Sequence, residues 1–355
     1  MDAFFDRLGL AAPIIQAPMA GAQNHRLAAA VCEAGGLGSV PAAMLSAEAL
    51  QAELTALRSL TQRPFNVNFF CHATPAPDAV REAHWHEALA PYYAELGLDA
   101  TAIPSGPGRV PFNDQAADVL EAFRPAVVSF HFGLPAPELL ARVKSWGSLV
   151  LSSATTVEEA LWLQTHGADA VIAQGLEAGG HRGMFLSDDL STQMGTFALL
   201  PQMVQAVKLP VIAAGGFASD AGVAAAQAFG AAGVQMGTAY LCSDEATTSA
   251  LHRAALQSGA ARHTALTNVF TGRPARGIVN RLMRELGPIS AAAPAFPLAT
   301  AAIAPLRAAA EARQSSEFTP LWAGQNTSGL RAEPATRITQ DAIEAWHRSA
   351  KEKAA

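Results

Sequence analysis

Eight short, continuously apolar segments recur along the first 240 residues, and this repetition constrains the fold more than any other feature. Amphipathic, alanine-rich stretches separate them, and Ser46 stands where it can cap one such helix. Strands that are apolar on both faces are typical of parallel sheets covered by helices. The eight predicted strands are residues 13–19, 37–42, 65–70, 126–133, 148–154, 169–175, 210–216 and 232–238.

Eight strand–helix units in residues 1–240 predict an α/β fold, the closed TIM (β/α)8 barrel. The structural alternative is an open, doubly wound sheet. Such a sheet usually carries a glycine-rich phosphate fingerprint after its first strand. The chain has APMAGAQN at that place instead, which favours the barrel.

Three further segments fall outside this repeat. Residues 71–112 are too long for an ordinary strand–helix connection, so we expect an insertion or lid, with His84 and His86 on the exposed face of a helix. Residues 241–317 have mixed helical character and predict a smaller, mostly helical domain that covers the substrate. Residues 318–355 are expected to return to the barrel.

Composition limits the classes of partner. The formal net charge is −6 and only 15% of residues are charged, so no basic surplus is available for nucleic acid or anionic membranes. The three cysteines form no CxxC pair, and no apolar run reaches membrane length. We expect a cytoplasmic protein that acts on a small molecule; the composition leaves its oligomeric state open.

The residues that follow the predicted strands should share one face of the barrel, where active sites of this fold lie. Asn68 and Gln174 bring neutral amides to that face, and such amides suit the edge of a flavin or a purine. Glu177 is the only nearby acid, so we predict no metal site. The first strand is followed by an apolar wall that a ligand can approach closely: Pro18, Met19 and Ala20.

Glycines follow the seventh and eighth predicted strands, where barrels of this kind commonly bind phosphate. Gly216 and Gly237 would let backbone N–H groups approach an anion, and the helix after Ser219 would add its partial positive charge. The alternative is that these glycines only permit tight turns. We predict a phosphate-bearing ligand held by Gly216, Gln235, Met236, Gly237 and Thr238.

The run AQGLEAGGHRGMF places a histidine among glycines directly after the sixth predicted strand. Gly179 would remove bulk where the chain passes the ligand, and His181 titrates near neutrality, as a general base must. His131, at the end of the fourth strand, is predicted to face the same opening and bind substrate; the alternative is a core histidine. Arg182 is expected to be solvated or paired with an acid.

These motifs resemble the nitronate monooxygenase family, formerly called 2-nitropropane dioxygenases. The resemblance rests on PIIQAPMAG, AQGLEAGGHRG, AAGGF and QMGT, while FHFG and LWAGQ are similar to its class I members. It implies a TIM barrel that holds non-covalent FMN under a smaller domain, with His181 as the catalytic residue. The FMN contacts that it implies are Asn68, Gln174, Gly179, Gly216, Gln235, Met236, Gly237, Thr238 and, within LWAGQ, Gln325.

The resemblance also implies a reaction. Alkyl nitronates, with propionate 3-nitronate as the expected substrate, would be oxidised with O2 to a carbonyl compound and nitrite. His181 would take the α-proton of a nitroalkane or hold the nitronate anion. Two alternatives stay open: an FMN-dependent NAD(P)H reductase of quinones or enoyl thioesters, and a phosphate-binding barrel without redox chemistry.

Overall fold

A computed structural model describes residues 3–76, 78–101, 103 and 109–354 of the chain. Residues 77, 102 and 104–108 of the predicted insertion lie outside the described residues. The strands are β1 Ile14–Gln16, β2 Gly38–Pro41, β3 Phe65–Phe70, β4 Val127–His131, β5 Leu149–Ala154, β6 Ala170–Gln174, β7 Gly180–His181, β8 Val211–Ala214, β9 Gly233–Met236, β10 Thr264–Thr267 and β11 Ala275–Ile278.

The predicted TIM barrel is confirmed. Eight parallel strands follow one another in the order β1-β9-β8-β6-β5-β4-β3-β2. The first and last of them meet, because the Leu37 N–H donates to the Ile14 carbonyl at 2.9 Å and the Gln16 N–H donates to the Leu37 carbonyl at 3.0 Å. All eight predicted strands are present, and their carboxyl ends therefore surround one opening.

Several barrel strands end earlier than predicted. The segment predicted as 13–19 pairs only over Ile14–Gln16, and the segment predicted as 210–216 pairs only over Val211–Ala214. Gly215 has a φ of +110°, which an extended strand does not contain. The apolar residues beyond each strand end form the wall of the opening instead of the sheet.

Helices connect and cover the strands. Ser46 caps α3, as predicted, by accepting a hydrogen bond from the Ala49 N–H at 3.2 Å. None of the described helices is long and apolar enough to cross a membrane. The helices are α1 Ala3–Asp6, α2 His25–Glu33, α3 Ala47–Leu60, α4 Ala79–Leu96, α5 Asp114–Phe123, α6 Pro137–Ser145, α7 Val157–Thr165, α8 Thr196–Ala206, α9 Asp220–Ala228, α10 Ala250–Leu256, α11 Arg281–Leu286, α12 Ala299–Ala312 and α13 Ala335–Ala354.

A second layer of helices lies over the opening and has its own apolar core. Helix α4 turns Trp85 and Leu89 into this core, against residues of α12 such as Leu306. His84 and His86 are exposed on the other face of α4, as predicted. The segment predicted as an insertion thus contributes a helix that packs with the chain beyond residue 241.

A three-stranded antiparallel sheet joins the barrel to this second layer, and the sequence analysis did not predict it. Its order is β10-β11-β7, and His181 of β7 pairs with Ala275 of β11. The region around β10 and β11 was expected to be mostly helical, and His181 was expected in a loop. Each strand is only two to four residues long, too short for a periodic pattern to distinguish it.

Candidate active site

One cavity of about 300 Å³ lies where the barrel strands end, between the barrel and the second layer. It brings together residues that are far apart in the sequence, because the ends of parallel strands converge on this face. The predicted site residues that line it are Pro18, Met19, Ala20, Asn68, His131, Gln174, Gly179, His181, Gly216, Gln235, Gly237 and Thr238.

Two predicted residues do not line the cavity. Met236 is 3% exposed and packs between the barrel and its helices, since neighbouring residues of a strand point to opposite faces and Gln235 faces the cavity. Gln325 is exposed, and its hydrogen bond within the described part of the chain runs from its backbone N–H to the Glu177 carbonyl at 2.9 Å. The amide that reaches the cavity belongs to Asn326, which donates to the Gly216 carbonyl at 2.7 Å.

His181 presents a neutral imidazole to the cavity. Burial, with a smaller contribution from the positive charge of Arg109, holds the pKa of His181 well below its ordinary value. Its Nε2 atom lies 2.9 Å from the Thr271 hydroxyl, which itself is placed to donate to the Arg273 carbonyl at 3.4 Å. Nε2 then carries the proton, and Nδ1 keeps its lone pair without a hydrogen-bond partner among the described residues.

An aromatic wall surrounds this imidazole. The ring of His181 lies 5.3 Å from the ring of Phe296 and 5.6 Å from that of Trp322, measured between centroids. Phe70 and Phe132 follow at 6.0 and 6.2 Å. These rings limit the contact of the histidine with water and make its surroundings apolar.

Two side chains hold the backbone of His181 in place. Gln174 donates to the His181 carbonyl at 2.9 Å and accepts from the Gly183 N–H at 2.8 Å. The Nε2 atom of His131 lies 3.1 Å from the same carbonyl, and its Nδ1 lies 3.0 Å from the Ser153 hydroxyl. A carbonyl only accepts, so Nε2 of His131 is the donor. Both ring nitrogens of His131 are engaged within the protein, while substrate binding by His131 stays a prediction.

We expect His131 to make the protein sensitive to acid. Burial lowers its pKa to about 3, below the value near 6.5 of an unfolded chain. The unfolded state therefore binds this proton more readily, and the stability that the neutral ring contributes is lost as pH falls below about 6.5. In His131→Asn the free energy of unfolding in urea should fall less steeply with acidification, by up to about 1.4 kcal/mol per pH unit. The exposed His86→Asn is the control; equal slopes in both variants would contradict this role.

The prediction for Arg182 was wrong. Its side chain is 0% exposed and donates to the carbonyls of Gln174 and Gly175 at 2.6 and 2.7 Å, and to the Gln193 side chain at 3.0 Å. Arg182 directly follows the short strand β7, and its side chain is turned inward to the backbone oxygens at the end of β6. Arg182 therefore fastens the segment after His181 to the end of β6.

The sequence analysis also missed Glu159. Its carboxylate is 1% exposed and accepts hydrogen bonds from the Thr155 N–H and hydroxyl at 2.6 and 2.8 Å and from the Leu186 N–H at 3.3 Å. The only available signal was an acid within the apolar helical stretch EEALWL. Glu159 orders the chain that leads away from His181 on the side opposite Gln174.

The structure explains why residue 179 is a glycine by a contact other than the predicted one with the ligand. A Cβ atom there would lie 2.6 Å from the Ala323 carbonyl carbon and 2.6 Å from the Gly324 nitrogen. The required close approach is to this returning segment of the chain. We expect Gly179→Ala to destabilise the protein by roughly 1–3 kcal/mol and to displace the segment beside Trp322. Thermal unfolding checks this against Gly259→Ala, whose Cβ would meet nothing within 4 Å; equal melting temperatures would refute it.

The residues after β8 and β9 fit a phosphorylated, planar cofactor. Gly216 has a φ of +85°, and the N–H groups of Gly216 and Gly237 donate to no acceptor in the described part of the chain. Ser219 caps the following helix α9, whose N-terminus adds partial positive charge. In the same cavity, the Oε1 atom of Gln235 is buried without a partner among the described residues. An unpaired buried amide oxygen requires a donor, which a heterocycle with N–H groups supplies.

Comparison with known proteins agrees with this geometry. A sequence profile of the nitronate monooxygenase family matches residues 3–340. The chain belongs to the nitronate monooxygenase family. This family of oxidoreductases is flavin-dependent, which agrees with a cavity that has unpaired backbone amides at Gly216 and Gly237 and the side-chain amides of Asn68 and Gln235.

Individual members of the nitronate monooxygenase family are similar along almost the whole chain. A nitronate monooxygenase of Paraburkholderia phytofirmans is 42% identical over 335 residues, covering 93% of this chain and 91% of that protein. A nitronate monooxygenase of Pseudomonas aeruginosa is 40% identical over 352 residues, covering 97% of this chain and 98% of that protein. The crystal structure of a nitroalkane oxidase from Streptomyces ansochromogenes superposes with a TM-score of 0.90 at 40% identity, covering 99% of this chain and 100% of that one.

Proposed function

We propose that this chain is an FMN-dependent nitronate monooxygenase that oxidises alkyl nitronates, propionate 3-nitronate among them, with O2 to a carbonyl compound and nitrite. The observation that carries the proposal is one cavity that joins unpaired backbone amides, at Gly216 and Gly237, to the neutral imidazole of His181. Family membership supports oxidation of nitronates, and the unpaired amides of Gly216 and Gly237 support FMN, which carries one phosphate, as the particular flavin.

The chain would contact FMN at its phosphate and at its ring system. The N–H groups of Gly216 and Gly237 would bind its phosphate, with the N-terminus of α9 behind them. Gln235 and Asn68 would face its polar ring edge, since the amide nitrogen of Asn68 is already held by Ser129 and its oxygen is left for a ligand. When bound, FMN supplies the electron acceptor and the route from substrate to oxygen.

His181 would act on the substrate proton. The lone pair of Nδ1 accepts the α-proton of a nitroalkane, whose charge then moves onto the nitro oxygens. Thr271 fixes the ring by accepting from Nε2, and Gln174 fixes the backbone from the other side. A nitronate that arrives already ionised needs no base, so His181 would then serve only to orient it.

An oxygen electrode and a spectrophotometer test the proposal. The purified protein should be yellow and should release FMN on denaturation. Oxygen uptake should follow addition of propionate 3-nitronate, whereas anaerobic NADH should leave the flavin oxidised. Rapid bleaching by NADH, with turnover of a quinone or enoyl thioester but no uptake with nitronate, would replace the proposal with the reductase. A colourless protein that does not bind FMN would overturn both.

A further inference from the structure

Arg109 is an arginine of the cavity that neither the motifs nor the family resemblance identified. Its guanidinium lines the cavity, with Cζ 5.4 Å from the centroid of the Phe296 ring. The same ring lies 5.3 Å from the ring of His181, measured between centroids. Arg109 and His181 therefore contact one phenyl ring, and both line the cavity.

The charge of Arg109 is not neutralised by the described protein. Its side chain is placed to donate one hydrogen bond, to the Thr300 hydroxyl at 3.3 Å, and no carboxylate lies within ion-pair distance among the described residues. Burial lowers the pKa of Arg109, and no neighbouring acid raises it. The acid that does line the cavity, Glu177, is bound to the Thr196 hydroxyl and N–H at 2.7 Å. Most N–H groups of the Arg109 guanidinium therefore have no acceptor among the described residues.

A cation removed from water without a partner is costly, so such a group in a ligand cavity is typical of a binding site for an anion. The geometry points to Arg109 as the residue that binds a carboxylate on the substrate. The substrate class is then a short alkyl nitronate with its reacting carbon at His181 and a carboxylate at the far end of the chain. This inference rests on the proposed function and adds the residue that selects among nitronates.

Apolar rings of the cavity give this selection a physical basis. Phe70 and Trp322 line the cavity with Arg109 and His181, and their ring centroids lie 6.0 and 5.6 Å from that of His181. They offer an apolar surface for the connecting methylene groups. Arg109 offers two parallel N–H groups, which match the two oxygens of a carboxylate. A nitronate with an uncharged tail would meet the same apolar rings and leave the guanidinium unpaired.

The test compares propionate 3-nitronate with propyl 1-nitronate, which has the same reacting group and an uncharged tail. In Arg109→Met, kcat/KM for propionate 3-nitronate should fall by roughly 30-fold or more, chiefly through KM. The value for propyl 1-nitronate should change by less than about threefold. Arg109→Lys keeps the charge but not the paired donors, so it should lie between. Arg26→Met, exposed on α2, is the matched control.

Direct binding makes the result independent of turnover. Isothermal titration calorimetry should detect propionate binding to the wild-type holoenzyme and to Arg26→Met, and a loss of at least tenfold in affinity in Arg109→Met. Flavin content and melting temperature show that the variant is folded. An equal fall in kcat/KM for both nitronates in Arg109→Met, or an unchanged affinity for propionate, would overturn the role of Arg109. Failure of the wild type to oxidise either nitronate would instead overturn the proposed function, while propionate titration would still decide the carboxylate site.

Discussion

Replacing His181 with asparagine should reduce kcat/KM for a neutral nitroalkane by roughly 10²–10⁴-fold. The neutral imidazole is the group placed to accept the α-proton, and an amide cannot do so at neutral pH. For the corresponding preformed nitronate the loss should be about tenfold or less, because that substrate has already given up its proton. Oxygen uptake with each substrate, at equal flavin content, measures the two losses.

The contrast between the two substrates is what identifies a base. His86→Asn removes an imidazole from the exposed face of α4 and should leave both rates unchanged. Because the pKa of His181 is lowered by burial, the wild-type rate with nitroalkane should not decline until the pH is well below the ordinary range of histidine. Losses of the same size for nitroalkane and nitronate would assign His181 to binding and not to proton transfer.

Replacing Arg182 with methionine should destabilise the protein by roughly 3–5 kcal/mol. The change leaves the Gln174 carbonyl buried without the Arg182 donor, and it leaves the Gly175 carbonyl with the Ala178 N–H alone, at 3.1 Å. The same carbonyls end β6, so the segment that bears His181 should loosen before the barrel unfolds. Thermal unfolding measures the first effect, and hydrogen exchange of the Gly183 amide measures the second.

Arg337→Met provides the comparison for this variant. Arg337 is an exposed arginine of α13 with one ion pair, to Asp341, and its loss should cost less than about 1 kcal/mol. Arg182→Lys keeps the charge but reaches fewer of the three acceptors, and we expect an intermediate melting temperature. A melting temperature of Arg182→Met equal to that of Arg337→Met would show that the buried hydrogen bonds contribute little.

The barrel was predictable because its signal is repeated. Each strand is apolar throughout and each is followed by an amphipathic helix, so eight weak signals agree. The glycines after β8 and β9 and the histidine after β6 were predictable for a related reason. Residues at the ends of parallel strands converge whatever their distance in sequence, so Gly216, Gly237 and His181 had to share one opening.

What sequence reasoning missed depends on tertiary contacts that the spacing of residues does not reveal. Glu159 and Arg182 act through buried backbone groups, and such partners leave no pattern of spacing. Arg109 follows a proline- and glycine-rich stretch without periodicity, so nothing in its surroundings indicated that it faces the cavity. The resemblance implied a cofactor contact by Gln325, whereas the side chain that lines the cavity is that of the next residue, Asn326.

The pairing of His181 with Ala275 on β11 makes the position of the histidine depend on two parts of the protein. His181 lies in a strand that follows the barrel strand β6 and is hydrogen-bonded to the sheet of the second layer. A rotation of the second layer against the barrel would therefore move the imidazole relative to a ligand bound at the strand ends. We expect proton abstraction by His181 only while the second layer covers the opening of the barrel.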